Sequence, residues 1–224
     1  MIDSIVFDLD GTLIDSIPDV LASLNMMLSE EKRRPLSQEE LRGLIGRGVN
    51  PMIEDAYSMT GKAIASPIKL ESAVTSYLEY YKANPVKHTS LFPNVRDTLN
   101  NLKKDGFCMG ICTNKPYEIT LLTLEGLGID VFFKGVTGGD NLPFNKPDPR
   151  HILTTLELMK SETHRAVMVG DSLVDTKAGH NAGLPVIAVN YGYSSEPQES
   201  FGATSMIEDF ALLPQAIAML NSLQ

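Results

Sequence analysis

Two carboxylates one residue apart, Asp8 and Asp10 in DLDGTLIDS, follow directly on the apolar run Ile5-Val6-Phe7. Like charges that close raise each other's pKa unless something positive sits between them. The pair is therefore either solvated and idle or built around a cation. Three other segments bear on the choice. ICTNKP places Thr113 and Asn114 ahead of Lys115, NKPDP carries Lys146, and GDSLVD carries Asp171 and Asp175. Asp8, Asp10 and Asp171 supply hard oxygen ligands of the kind that suits Mg²⁺ rather than zinc. Thr113 and Lys146 can bind a dianionic group on the far side of such an ion. A carboxylate held beside a phosphoryl group can attack it, and a second acid can protonate the leaving oxygen and later deprotonate water. Lys146 and the cation would stabilise the charge that builds on the transferring group.

Taken singly, each segment has a plainer reading. Asp-Gly-Thr is a common turn. Thr113-Asn114 can cap a helix opening at Pro116, and Lys146 can be a solvated loop lysine. Ser172 and Asp175 have the spacing of a capping box. What lifts the set above these readings is where the segments fall along the chain.

The continuous apolar runs SIVF, FCMGIC, VFFKGVT, AVMVG and PVIAVN read as buried parallel strands. Helical patterns alternate with them. NVRDTLNNLKKDG sets Val95, Leu99 and Leu102 on one stripe and stops at Gly106. DPRHILTTLELM opens with Asp148 as N-cap and Pro149 at the first helical position, SLVDTKAGHNAGLP stops at Gly183, and the tail from Ser205 gives a last helix around Leu212, Leu213, Ile217 and Leu220. This alternation predicts an α/β fold, a Rossmann-like parallel sheet core with helices on both faces. Ligands in such sheets bind beyond the carboxyl ends of the strands, where the acids, the hydroxyl and the lysine are expected to converge.

Residues 16–85 break the rhythm. IPDVLASLNMMLSEEKRR, SQEELRGLI with a capping box from Ser37 to Glu40, PMIEDAYSMTG and SPIKLESAVTSYLEYYKAN are all helical in pattern. The expected organisation is a sheet core of residues 1–15 and 86–224, interrupted by a helical insert over 16–85 that joins it near Asp15-Ser16 and residues 82–90. Arg33 and Arg34 read as a solvated helix end. Arg47, in the loop LIGRGVN between two cap helices, is the candidate for pairing with a substrate carboxylate.

Bulk properties narrow the partners. The 224 residues are 43% hydrophobic and 21% charged, with a net charge of −9, which disfavours nucleic acid and anionic membranes but not a small phosphorylated metabolite. No run approaches the ~20 apolar residues of a membrane span, and the opening MIDSIVFDLD lacks the form of a signal peptide, so a cytoplasmic monomer or homodimer is expected. Cys108 and Cys112 lie on one face of one strand, too far apart to bond, and read as buried reduced thiols.

In type and order, DLDGTLIDS, ICTN, the Lys of NKPDP and GDSLVD resemble the four motifs of the haloacid dehalogenase superfamily, in its phosphatase branch. TNKP, KPDP, GDSLVDTKAGHNAGLP and VNYGY are most similar to those of phosphoglycolate phosphatases, although many of these have histidine where this chain has Asp148. The resemblance implies Asp8 as nucleophile and Asp10 as general acid and base. Mg²⁺ would be held by Asp8, the Asp10 carbonyl and Asp171, with Asp175 supporting the metal or Lys146. Thr113, Asn114 and Lys146 would position the phosphoryl group, beneath a mobile cap. It further implies hydrolysis of 2-phosphoglycolate. Hydrolysis of pyrophosphate or another small phosphate compound, or a phosphosugar mutase reaction on the same aspartyl-phosphate, stays open at this point.

Overall fold

The computed structural model describes residues 1–194, 197 and 200–222. Its centre is β1 (Ser4–Phe7), buried along its whole length, with β4 (Cys108–Cys112) on one side and β6 (Ala166–Gly170) on the other. β5 (Gly135–Thr137) extends the first side, and β7 (Val186–Val189) and β8 (Ser205–Ile207) the second, giving the order β5-β4-β1-β6-β7-β8 with every pairing parallel. The alternation of side chains along β1 divides the core. Ile5 and Phe7 pack with Val95, Leu99, Leu102, Phe210 and Ile217 on one face. Val6 packs with Cys112, Ile152, Leu156 and Ala178 on the other. The covering helices are α5 (Val95–Lys104), α6 (Tyr117–Gly126) and α9 (Leu213–Ser222) on the first face, and α7 (Pro149–Met159) and α8 (Leu173–Asn181) on the second. Cys112 is wholly interior, and burial pushes its thiol up to about 11, which makes it a core side chain rather than a nucleophile.

Two expected elements differ. The apolar run from Val131 is not one strand: Asp130–Phe132 form a 3₁₀ turn that seats Phe132 in the core, and only Gly135–Thr137 pair with β4. Apolar content alone cannot distinguish a buried turn from a buried strand. The segment at Ser205 is likewise not the start of the last helix. It forms the edge strand β8, whose three residues are too few to show a period.

Between β2 (Ile14–Asp15) and β3 (Ser90–Leu91) the chain makes four helices: α1 (Ile17–Glu30), α2 (Gln38–Arg42), α3 (Val49–Thr60) and α4 (Pro67–Ala83). These share a second hydrophobic cluster including Leu24, Leu28, Leu41, Ile53, Tyr57 and Tyr77. Both Ser37 and Glu40 make their reciprocal capping bonds at the start of α2. Arg33, by contrast, is not a solvated helix end. Its side chain is 11% exposed, lies 3.9 Å from the Tyr57 ring centroid, and donates to the carbonyls of Tyr57 at 2.8 Å and Lys62 at 2.7 Å. Arg34 pairs with Glu40 and donates to the Met59 carbonyl. The two arginines tie the end of α1 to α2 and α3.

The helical unit meets the sheet through paired strands. β2 and β3 are antiparallel, with Asp15 opposite Ser90. Beside them the buried carboxylate of Asp19, in the first turn of α1, accepts from the backbone N–H groups of His88 and Thr89 and from the Thr89 hydroxyl, each at 2.8 Å to Oδ2. No helix among the described residues is long and apolar enough to cross a membrane.

Candidate active site

The side chains of interest gather at the carboxyl ends of β1 and its neighbours β4 and β6, where the strand order reverses. Asp8 follows β1 directly. The turn after it is tight: the Leu9 carbonyl accepts from the N–H groups of Thr12, Leu13 and Ile14, and Gly11 takes a φ of +86° that a side chain would resist. This folds Asp10 back above Asp8. Thr113 follows β4, and Asp171 follows β6. Asp175 sits one helical turn later, on α8.

The carboxylates of Asp8, Asp171 and Asp175 bring one oxygen each to within 4.8 Å of one another, all buried. Lys146 reaches in from the loop before α7. Its ammonium lies 2.7 Å from Asp8 Oδ1 and 2.6 Å from Asp175 Oδ1. Its own backbone is fixed, its N–H donating to Asn114 Oδ1 at 3.0 Å and to His151 Nδ1 at 3.1 Å. Asp175 serves both Lys146 and the start of α8. While Oδ1 takes Lys146, Oδ2 accepts from Ser172 Oγ at 2.6 Å and from the N–H groups of Asp171 and Ser172, completing the capping box of α8. Asp171 is held by the Thr12 hydroxyl at 3.2 Å and the Tyr193 N–H at 2.7 Å. Two glycines leave it room, since a Cβ at Gly11 or at Gly192 would come within 2.3 Å of its side chain.

Burial raises Asp8 to about 7, even with Lys146 pulling the other way, and Asp175 and Asp10 add to the rise. Asp171 is also raised well above the usual carboxylate range, by burial first and then by the charges of Asp175 and Asp8. Burial also works against the Lys146 ammonium, but Asp175 and Asp8 outweigh it and keep the proton on. Three carboxylates against one ammonium leave a formal charge of −2 in a closed site. No cationic side chain among the described residues pairs with Asp171. The donor set, three carboxylate oxygens within 4.8 Å of one another, fits a divalent cation with hard oxygen ligands. Asp8 spends one oxygen on Lys146 and each Asp171 oxygen accepts a single bond, so both keep lone pairs to give, whereas Asp175 Oδ1 takes Lys146 and its Oδ2 already accepts three bonds.

The other expected residues are placed differently. The Asp10 carboxylate turns from the cluster to Ser16 Oγ at 2.6 Å and Lys115 Nζ at 3.0 Å. Thr113 is buried beside Asp8, its Oγ1 accepting from the Lys115 N–H at 3.2 Å. Asn114 is a bridge: its amide donates to the Gly46 carbonyl of the helical unit at 2.9 Å and to the Lys146 carbonyl at 3.0 Å. Arg47 is not brought to the acids. Its exposed side chain pairs with Asp55 on α3, while its neighbours Gly46 and Gly48 face the site. Asp148 caps α7 by accepting from the Arg150 N–H.

Above Asp8 and Asp10 a cavity of about 50 Å³ is partly roofed by the helical unit, through Val20, Ile45, Val49, Met52, Tyr77 and Tyr81. That is room for about four water molecules, or one small ligand. Two residues that the sequence did not single out complete the site, Lys115 in the cavity wall and Tyr193 behind Asp171. Lys115, 6% exposed, donates to both Asp10 oxygens and to the Tyr81 hydroxyl of α4. Tyr193 joins the two halves. Its N–H holds Asp171, while its hydroxyl accepts from the Ser16 N–H at 2.7 Å and donates to Asp15 Oδ1 at 2.9 Å, where the helical unit begins. The quoted motifs TNKP and VNYGY contain both residues, but nothing local marks which side chains turn inward.

Residues 5–189 match the model of a family described as haloacid dehalogenase-like hydrolases. A phosphoglycolate phosphatase of Caulobacter vibrioides is 35% identical over 223 residues, covering 98% of this chain and 92% of the relative. One of Agrobacterium fabrum is 34% identical over 212 residues, covering 95% of this chain and 91% of the relative. Among solved structures, that of a predicted phosphoglycolate phosphatase from Haemophilus somnus superposes with a TM-score of 0.89 at 29% identity, covering 96% of this chain and 98% of that one.

Proposed function

The chain belongs to the haloacid dehalogenase-like hydrolases, and from that premise we propose that it is a Mg²⁺-dependent phosphomonoester hydrolase acting on 2-phosphoglycolate through an aspartyl-phosphate on Asp8. The observation that carries the chemistry is Asp8 itself. It is a buried carboxylate at a strand end, flanked by Lys146 and two further acids, with a small cavity above it. The substrate is supported by the relatives, which are phosphoglycolate phosphatases, and by a cavity of a size that suits a small molecule.

The residues divide the work. The Thr113 hydroxyl and the Lys146 ammonium take oxygens of the phosphoryl group and present phosphorus to Asp8. The Asp8 carboxylate attacks, the P–O bond to the organic part breaks, and Asp10 delivers its proton to the departing oxygen. Asp10 then accepts a proton from a water that attacks the aspartyl-phosphate. That step releases inorganic phosphate and restores the Asp8 carboxylate. Asp8 and Asp171 would hold Mg²⁺, which when bound neutralises the converging anions. Asp175 fixes Lys146 from behind. The closed helical unit keeps bulk water from the cavity and strengthens these charge interactions.

The test is phosphate release from 2-phosphoglycolate, pyrophosphate, glucose 1-phosphate and phosphoserine, with Mg²⁺ and with EDTA. An EDTA-sensitive preference for 2-phosphoglycolate is expected. Equal, weak release from all four refutes the substrate. Release that survives EDTA refutes the metal, and trapping of the phosphoryl group with a sugar phosphate as the better acceptor would move the chain to the mutases.

A further inference from the structure

Among the described residues lining the cavity, Lys115 is the one cation, and the walls around it are carboxylates, apolar side chains, tyrosines and the neutral polar Thr113 and Asn114. Its ammonium is withdrawn from water and held by partners from both halves of the molecule: Asp10 at 3.0 and 3.2 Å from the sheet side, and Tyr81, whose ring centroid is 4.5 Å away, from α4. Lys146 is not available for a second task, being enclosed by Asp8 and Asp175. Arg47 is committed to Asp55 outside. A substrate with an anionic group besides its phosphate therefore meets a single positive side chain in this chamber.

The position of that charge limits where the second anion can be. The ester oxygen must lie at Asp10 to be protonated. In an ester with a carboxylate one carbon away, the carboxylate oxygens lie about 3 Å from the ester oxygen, given single bonds of about 1.5 Å. The Lys115 ammonium stands 3.0 Å from Asp10. One cation thus reaches both Asp10 and a carboxylate attached at the α-carbon.

We propose that Lys115 is the specificity-determining residue, receiving the carboxylate of phosphate monoesters whose carboxylate is one carbon from the ester oxygen and exchanging Asp10 for it as the ligand enters. This rests on the hydrolase reading above and deepens it. Tyr81 stays with the ammonium and ties its new partner to the closed helical unit. A neutral ester leaves Lys115 on Asp10 and offers nothing to replace it. The selectivity is charge-based, since an ammonium pairs strongly with a carboxylate in a site that excludes water.

The experiment compares kcat/KM for 2-phosphoglycolate and for ethyl phosphate, in which a methyl group replaces the carboxylate. It is run on the wild type, Lys115→Met and Lys115→Arg with saturating Mg²⁺, circular dichroism verifying the fold. The wild type is expected to favour 2-phosphoglycolate by 100-fold or more, Lys115→Met to lose at least 30-fold of that ratio, and Lys115→Arg to keep most of it. If Lys115→Met lowers both substrates alike and leaves the ratio intact, the residue only holds Asp10 and the inference fails while the substrate reading stands. If the wild type shows no preference, the substrate reading itself fails. Should Lys115→Met not fold, the wild type still decides. Two extra methylenes between ester oxygen and carboxylate should cost it at least tenfold in kcat/KM, and an unchanged value overturns the proposal.

Discussion

Replacing the nucleophile should make the metal-free protein more stable, not less. Asp8 is 7% exposed, and burial raises its pKa from the ordinary 3.8 to about 7. Between these values the folded chain holds a proton that the unfolded chain has released, so stability declines as pH rises from about 4 to 7. At pH 8 both states are ionised, and the displacement amounts to about 4 kcal/mol at about 1.4 kcal/mol per pH unit. Asn fills the same space without a charge, and Lys146 keeps Asp175. Asp8→Asn should therefore abolish turnover yet gain roughly 2–4 kcal/mol in urea unfolding at pH 8 with EDTA. At pH 5 the wild-type Asp8 is protonated in the fold, and the gain should shrink to about 1.5 kcal/mol or less. Mg²⁺ at a thousand times its Kd should cancel that gain, because a ligand at that level adds about 4.1 kcal/mol and the variant binds it poorly. A variant less stable than wild type at pH 8 in EDTA, or a difference indifferent to pH, would show that the Lys146 pair outweighs burial and would refute the reasoning.

The remaining predictions concern neighbouring parts. Lys146→Met strands Asp8 and Asp175 without their shared cation and should cost about 3–5 kcal/mol in urea unfolding along with all measurable turnover; a loss under 1 kcal/mol would mean that the acids find another partner. Gly192→Ala forces Asp171 aside, since the added carbon would lie 2.3 Å from it, and should weaken Mg²⁺ binding by about 10–100-fold in titration calorimetry; an affinity within twofold of wild type rejects that role for Asp171. Arg33→Ala removes the stack on Tyr57 and two carbonyl bonds, and should lower stability by about 2–3 kcal/mol while leaving KM unchanged; a change below about 0.5 kcal/mol would return Arg33 to the solvated surface.

What could be read from the chain was whatever is written locally. The α/β alternation, the stripe of Val95, Leu99 and Leu102, the cap at Asp148 and the box at Ser37 each occupy a few consecutive residues, and their physics is local. Strand-end chemistry was legible too, because parallel topology sends successive strand ends to one edge. Lys115 was not: its partners are 105 residues away at Asp10 and 34 away at Tyr81, and no spacing encodes an inward turn. Arg33 and Arg47 failed in opposite directions for the same reason. Both look like surface arginines beside a helix, and only the packing of α3 against its neighbours buries the first and leaves the second on Asp55. β8 has three residues, below the length at which a period can be counted.

The paired strands at the root of the helical unit have a consequence for how such a chain can diversify. Because Asp15 stands opposite Ser90, the seventy-odd residues between them leave and rejoin the sheet at neighbouring points. To the sheet they are one long surface loop, and lengthening a loop whose ends are fixed side by side costs little, about 0.6 kcal/mol for each doubling. The segment can be exchanged, shortened or rebuilt by descent without altering Asp8, Lys146 or Asp171. All six side chains that roof the chamber, Val20, Ile45, Val49, Met52, Tyr77 and Tyr81, would change with it. Heredity can thus hold the bond-breaking apparatus constant and try out new roofs over it, and a transplanted 16–85 segment from a relative with a different diet of esters is the laboratory version of that history.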